Sequence, residues 1–121
     1  MSFQKLLAFQ KSFALAMRIF ELSKSFPKEE KYSLTDQIRR SSRSVSANIS
    51  EAHRKRLYPK PFISKLSDSD AENSETQTWL LFALECNYID KNTFDSLVSE
   101  NLEVGKLINF MINNPEKFGA K

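Results

Sequence analysis

Two glycines and four prolines are spread over 121 residues, too few for the repeated tight turns that an all-β architecture needs. Beside abundant Leu, Ser, Lys, Glu and Phe, that scarcity predicts long helices with short connections. The single cysteine, Cys86, excludes an intramolecular disulfide, and its place near Leu84 predicts a small buried hydrophobe in a reducing, cytoplasmic setting. The single histidine, His53, excludes the paired Glu-x-x-His signature of a di-iron bundle and is read as a surface residue near a helix end. The longest apolar run, residues 79–84, is far short of the roughly 20 residues that span a bilayer, so no membrane partner is expected. No glycine-rich phosphate loop, zinc spacing or nucleophile elbow is present, and neither a cofactor nor an enzymatic activity is expected.

What is present is a local excess of positive charge. Residues 37–56 carry Arg39, Arg40, Arg43, Arg54, Lys55 and Arg56 against one acid, Glu51, while the remainder of the chain has twelve bases and fourteen acids. Such a stretch attracts phosphate or an acidic partner, or else serves as a solvated helix face.

Helical periodicity organises the whole length. At about 100° per residue, Leu6, Phe9, Phe13, Met17 and Phe20 form a stripe expected to face a core, in a helix over about 3–25. Leu15, Ile19, Leu22 and Phe26 fall on the opposite side and are expected to meet a second copy of the chain, since a water-facing apolar row is unfavourable. A second helix over about 33–56 begins at Ser33 with Asp36 three residues on, a capping-box-like start. Its inner stripe is Leu34, Ile38, Val45, Ile49 and Ala52, and Arg39, Arg40, Arg43 and Arg54 share the far side. Pro59 and Pro61 end it.

The segment 67–78, rich in Ser, Asp, Glu and Asn, lacks Gly and Pro and keeps the register from Ile63 to Tyr88. It is therefore read as the polar middle of a third helix over about 61–88. Asp90 is an expected N-cap for a fourth helix over about 91–113, where Gly105 marks a close helix contact and Leu107 and Phe110 add an outer apolar face. Four such helices predict a single domain, 1–121, folded as an all-α, antiparallel up-and-down four-helix bundle.

The acids of helix three, Asp68, Asp70, Glu72 and Glu75, do not form a calcium loop. The required glycine is Asn73 and the closing glutamate position is Trp79, so no metal site is expected. In the bundle, Arg39 or Arg40 is expected to pair with Glu72 or Glu75, where a planar guanidinium suits a carboxylate. Arg43, Arg54, Lys55 and Arg56, with Arg40, are the expected contacts to RNA or DNA. Trp79 suits an interface anchor as well as a base stack.

"QIRRSSRSVSANISEA" (37–52) followed by "AENSETQTWLLFALECNYI" (71–89) resembles the bacterial four-helix bundle family encoded by intervening sequences inside 23S rRNA genes. The matching positions include Gln37, Arg39, Arg40, Ser44, Asn48, Ile49 and Glu51, with Glu72, Glu75, Thr76 and Gln77 on helix three. Ser46 stands where a proline is common and Ala52 where a glycine is common, and both changes favour a regular helix two. The resemblance implies a homopentameric ring, a structural role for Asn48 beside the Arg–Glu pairs, and, by analogy with accessory proteins of diversity-generating retroelements, a reverse transcriptase and nucleic acid as partners.

Overall fold

The structure is a computed structural model that describes residues 2–120. Four helices dominate it: α1 (Leu7–Ser23), α2 (Leu34–Arg54), α3 (Pro59–Glu85) and α4 (Lys91–Asn113), with short 3₁₀ turns at Phe3–Lys5, Lys28–Glu30 and Pro115–Phe118. Among the described residues there is no β-strand, and no helix is long and apolar enough to cross a membrane.

α1 packs on α2 and α4, and α3 packs on the same two helices from the other side. Apolar faces meet in the middle, where Ile19, Ile38, Ile49, Phe62, Leu66, Leu80, Leu97 and Ile108 are completely buried. Burying one such side chain contributes roughly 1.5–3 kcal/mol.

Polar cross-links fix how each pair is aligned. Ser12 Oγ lies 2.9 Å from Ser46 Oγ, and Arg39 Nε donates to Ser23 Oγ at 2.7 Å, tying α1 to α2. Thr76 Oγ1 donates to Ser41 Oγ at 2.9 Å, Ser69 Oγ to the Val45 carbonyl at 2.8 Å, and Lys65 Nζ pairs with Glu51 Oε2 at 2.7 Å, tying α2 to α3. Along every such pair the numbers climb in one helix as they descend in the next. The polar middle of α3 is thus part of one continuous helix whose buried hydroxyls and amides are hydrogen-bonded, as burial requires.

The helix ends follow local chemistry. Pro59 sits in the first turn of α3, where its missing N–H costs nothing. At the other end of α3, Asn87 takes the left-handed conformation with φ 62°. Its N–H donates to the Leu84 carbonyl at 3.0 Å while the Tyr88 N–H reaches the Ala83 carbonyl at 2.9 Å, closing the helix. Asp90 caps α4, its side chain accepting from the Thr93 N–H at 2.7 Å, as the sequence predicts.

Several expectations are overturned. On α1 the faces are largely exchanged: Leu15, Ile19 and Phe26 are buried and Leu22 is half-buried against the core, whereas Phe13 and Met17 are 53% and 46% exposed; of the expected inner stripe, Leu6 is buried and Phe9 packs against the core. The buried side is completed by Ala8, Ser12, Ala16 and Ser23, small residues that bring α1 close to the serines of α2. Leu107 is likewise packed against the core, and only Phe110 of that outer pair is exposed. Cys86 is exposed rather than buried, because the turn that ends α3 carries it out of the core. His53 is buried, and that burial, together with the nearby Arg56 charge, holds its pKa below the ordinary histidine range.

Ser33 does not cap α2 with its own side chain. Glu30 does so instead, its Oε1 accepting from the Leu34 N–H at 3.3 Å and from Ser33 Oγ at 2.6 Å. Glu30 Oε2 accepts from the Tyr88 hydroxyl at 2.8 Å, so the turn before α2 is clamped to the end of α3.

Candidate nucleic-acid interface

α2 alternates two chemistries around its axis. Its inner side buries Leu34, Ile38, Val45, Ile49 and Ala52, and the outer side is left to charge. There an open groove of about 610 Å³ runs along the first half of the helix, lined by Lys31, Tyr32, Thr35, Asp36, Arg39, Arg40, Arg43, Ser44 and Ala47. Four cations face a single carboxylate, and the positive end of the α2 backbone dipole adds to the same field.

The arginines of this face are not equivalent. Arg39 is half-buried, donates to Ser23, and lies 4.8 Å from the centre of the Phe20 ring. Arg40 holds Glu75 Oε1 at 3.0 Å and Glu72 Oε1 at 3.8 Å across to α3, and also reaches Gln37 Oε1 at 3.3 Å. Of the two arginines expected to meet Glu72 or Glu75, Arg40 is therefore the one that does so. Arg43 is exposed, with its guanidinium 5.4 Å over the same Phe20 ring. It meets no carboxylate among the described residues. A guanidinium held over an aromatic face keeps its five donors free for an incoming anion.

Toward the far end of α2, Arg54 and Lys55 are exposed. Arg56 turns back, donating to the His53 carbonyl at 3.1 Å, and its aliphatic stem packs beside Gly119. Asn48 bonds within its own helix, to the Ser44 carbonyl at 3.0 Å, and not to the Arg40 network.

Glu72 is the costly member of that network. Its Oε2 is buried without a hydrogen-bond partner, and burial, with the neighbouring Glu75 charge, raises its pKa above the usual carboxylate range against the pull of Arg40. Elsewhere Glu51 is held lower by its bond to Lys65. Among the described residues no group of three or more His, Cys, Asp or Glu side chains is placed to hold a metal ion.

Lys31 and Tyr32 are site residues that the periodicity of the arginines does not reveal, since they precede the helix. The signal lies in the spacing: Tyr32 and Asp36 continue the row of Arg39 and Arg43 backward at four- and three-residue steps. Phe20 is the other silent participant, with Arg39, Arg43 and Lys24 all disposed around its ring.

Residues 4–110 match the model of the 23S rRNA-intervening sequence protein family. The chain belongs to that family. Among solved structures, this member of the 23S rRNA-intervening sequence protein family is similar to a protein of unknown function from the S23 ribosomal protein family of Bacteroides thetaiotaomicron VPI-5482. The two share 32% sequence identity at a TM-score of 0.80, over 88% of this chain and 96% of the other. No curated protein matches it.

Proposed function

We propose that this member of the 23S rRNA-intervening sequence protein family is a non-enzymatic module that binds RNA or DNA through the outer face of α2. The observation that carries the reading is Arg43: an exposed guanidinium, braced on Phe20 and with no carboxylate partner among the described residues, in an open basic groove that Lys31 also lines. Arg54 and Lys55 extend the face, and counterion release from such a surface gives sequence-independent affinity. Arg40 contributes to the field while tethered to Glu75. The ligand is a nucleic acid, alone or already held by a protein such as a reverse transcriptase, as the accessory-protein analogy implies.

The working form is an antiparallel up-and-down bundle that self-associates in the cytoplasm, as a homopentamer by the family resemblance. Support for self-association comes from the exposed apolar row of Phe13 and Met17 on α1 and from Phe110 and Leu102 on α4, since exposed apolar clusters favour a partner. Repetition of the basic face around a ring would multiply a modest patch into a collective field.

A second reading is favoured by Arg39 and Arg40, whose bonds to Ser23, Glu75 and Glu72 are internal. On that reading the arginines serve assembly alone. The double variant Arg43→Glu with Arg54→Glu separates the two: loss of nucleic-acid binding with the oligomer intact supports the first, and loss of the oligomer supports the second.

A further inference from the structure

Tyr32 stands between two hollows. Its side chain is 84% exposed and lines both the basic groove and a second, aromatic hollow of about 400 Å³ shared with Trp79, Phe82, Gln37 and Glu30. The Trp79 and Phe82 rings lie 5.7 Å apart, tilted by 39°, and Phe82 is 53% exposed. Gln37 joins the two hollows, because its side-chain oxygen accepts from Arg40.

We infer that the paired hollows are a single-strand site, in which an unstacked nucleobase lies against Tyr32, Phe82 and Trp79 while its flanking phosphates lie on Lys31 and Arg43, with the tethered Arg40 adding to the field. This rests on the nucleic-acid reading of α2 and names the class of ligand. Every base has an apolar π-face that stacks on aromatic side chains, and stacking beside a cationic track is how single strands are held without sequence preference. In a duplex those faces are covered by neighbouring pairs, so a duplex reaches the basic groove but not the aromatic hollow.

Charge sets the orientation of the strand. Glu30 lines the aromatic hollow with both oxygens engaged by Ser33, Leu34 and Tyr88, and it stays ionised because those donors favour the anion. A phosphate is repelled there and drawn across Tyr32 to the arginines. A neutral base is not repelled. The span suits a few nucleotides, since α2 rises by about 1.5 Å per residue from Leu34 to Arg43 and Tyr32 lies in the turn just before it.

Trp79 is the only tryptophan, so its emission reports the hollow directly. Oligo(dT), oligo(rU) and a blunt duplex of matched length are titrated into the full chain, reading Trp79 fluorescence and, separately, anisotropy of labelled strands. Single strands are expected to quench Trp79 and the duplex to leave it unchanged. Tyr32→Ala and Phe82→Ala are expected to weaken single-strand binding about tenfold and duplex binding by about twofold or less. Both side chains are more than half exposed, so an unchanged unfolding midpoint accompanies the effect.

Equal binding of strands and duplex, with Trp79 unmoved and Tyr32→Ala silent, overturns the base site and leaves the α2 reading standing. Absence of binding by any nucleic acid at low salt overturns both.

Discussion

Asn101→Ala is the perturbation whose cost is most directly set by the packing of α3 on α4. Asn101 is 1% exposed and Asn73 5% exposed. Asn101 Nδ2 donates to the Asn73 carbonyl at 2.9 Å and to Asn73 Oδ1 at 3.0 Å, and Asn73 Nδ2 donates back to the Asn101 carbonyl at 2.9 Å. The substitution deletes two of these bonds and leaves Asn73 Oδ1 buried without its donor. A buried hydrogen bond contributes about 1 kcal/mol net, and stranding its partner costs about 1–3 kcal/mol, so the expected loss is about 2–4 kcal/mol. Urea unfolding should show this as a lower midpoint at unchanged slope. In the thermal melt the midpoint falls by roughly 10 °C for a domain of this size. Asn73→Ala combined with Asn101→Ala should cost at least about 1 kcal/mol less than the two single variants added together. A loss under about 0.5 kcal/mol, or strict additivity, would refute the view that this reciprocal amide clamp specifies the α3–α4 register.

Two further predictions concern titration. Hydrogen bonds from Ser33, Tyr88 and Leu34 lower the Glu30 pKa, so its stabilising contribution is complete above the ordinary carboxylate range and is lost as pH falls through the lowered folded value. Tyr88 is shifted the other way, up to about 12, chiefly by its bond to Glu30; its contribution is complete below the ordinary tyrosine value of about 10 and is lost as pH rises through about 12. Melts across pH should therefore lose an alkaline component in Tyr88→Phe and an acid component in Glu30→Gln, and unchanged profiles would contradict the clamp. Glu72 has a raised pKa, from burial first and then from Glu75, so its contribution is present at low pH and lost as pH rises through the folded value. Glu72→Gln is accordingly expected to raise the melting midpoint at neutral pH and to lose that advantage in acid. A lower midpoint at neutral pH would show that its attraction to Arg40 dominates.

The four helices and their order were legible because core positions recur at helical spacing and because Asp90, Pro59 and Pro61 punctuate the chain. The continuity of α3 through its polar middle was also legible, since no Gly or Pro breaks the register, and the buried Ser69, Asn73 and Thr76 turn out to be bonded across to α2 and α4. The inward face of α1 was not. Both of its sides carry apolar residues, and the large Phe13 and Met17 outweigh Ala8, Ser12 and Ala16 in any count of hydrophobicity, although small residues are what permit close approach to the serines of α2. The Arg40–Glu75 pair follows from adjacency of α2 and α3, whereas the partners of Arg39 depend on where Ser23 and Phe20 of α1 fall. The Glu30 cap was hidden as well, because it needs Tyr88, distant in sequence, to hold the carboxylate in place. Lys31 and Tyr32 lie in the turn before α2, and although Tyr32 continues the spacing of the arginine row, spacing alone does not say which groove a side chain in a turn lines.

The most direct test of the α2 account is the salt dependence of binding to labelled RNA and DNA, with wild type and the Arg43→Glu, Arg54→Glu double variant side by side. With Lys31, Arg43, Arg54 and Lys55 as the cations free to meet phosphate, a single strand that engages all four gives a logarithmic salt slope of roughly −3 per protomer. The account predicts binding at low salt that falls with about that slope or steeper in an assembly, and a shallower slope with weaker binding in the double variant. Binding that is absent at low salt, or that is the same in slope and strength for the variant, would contradict it.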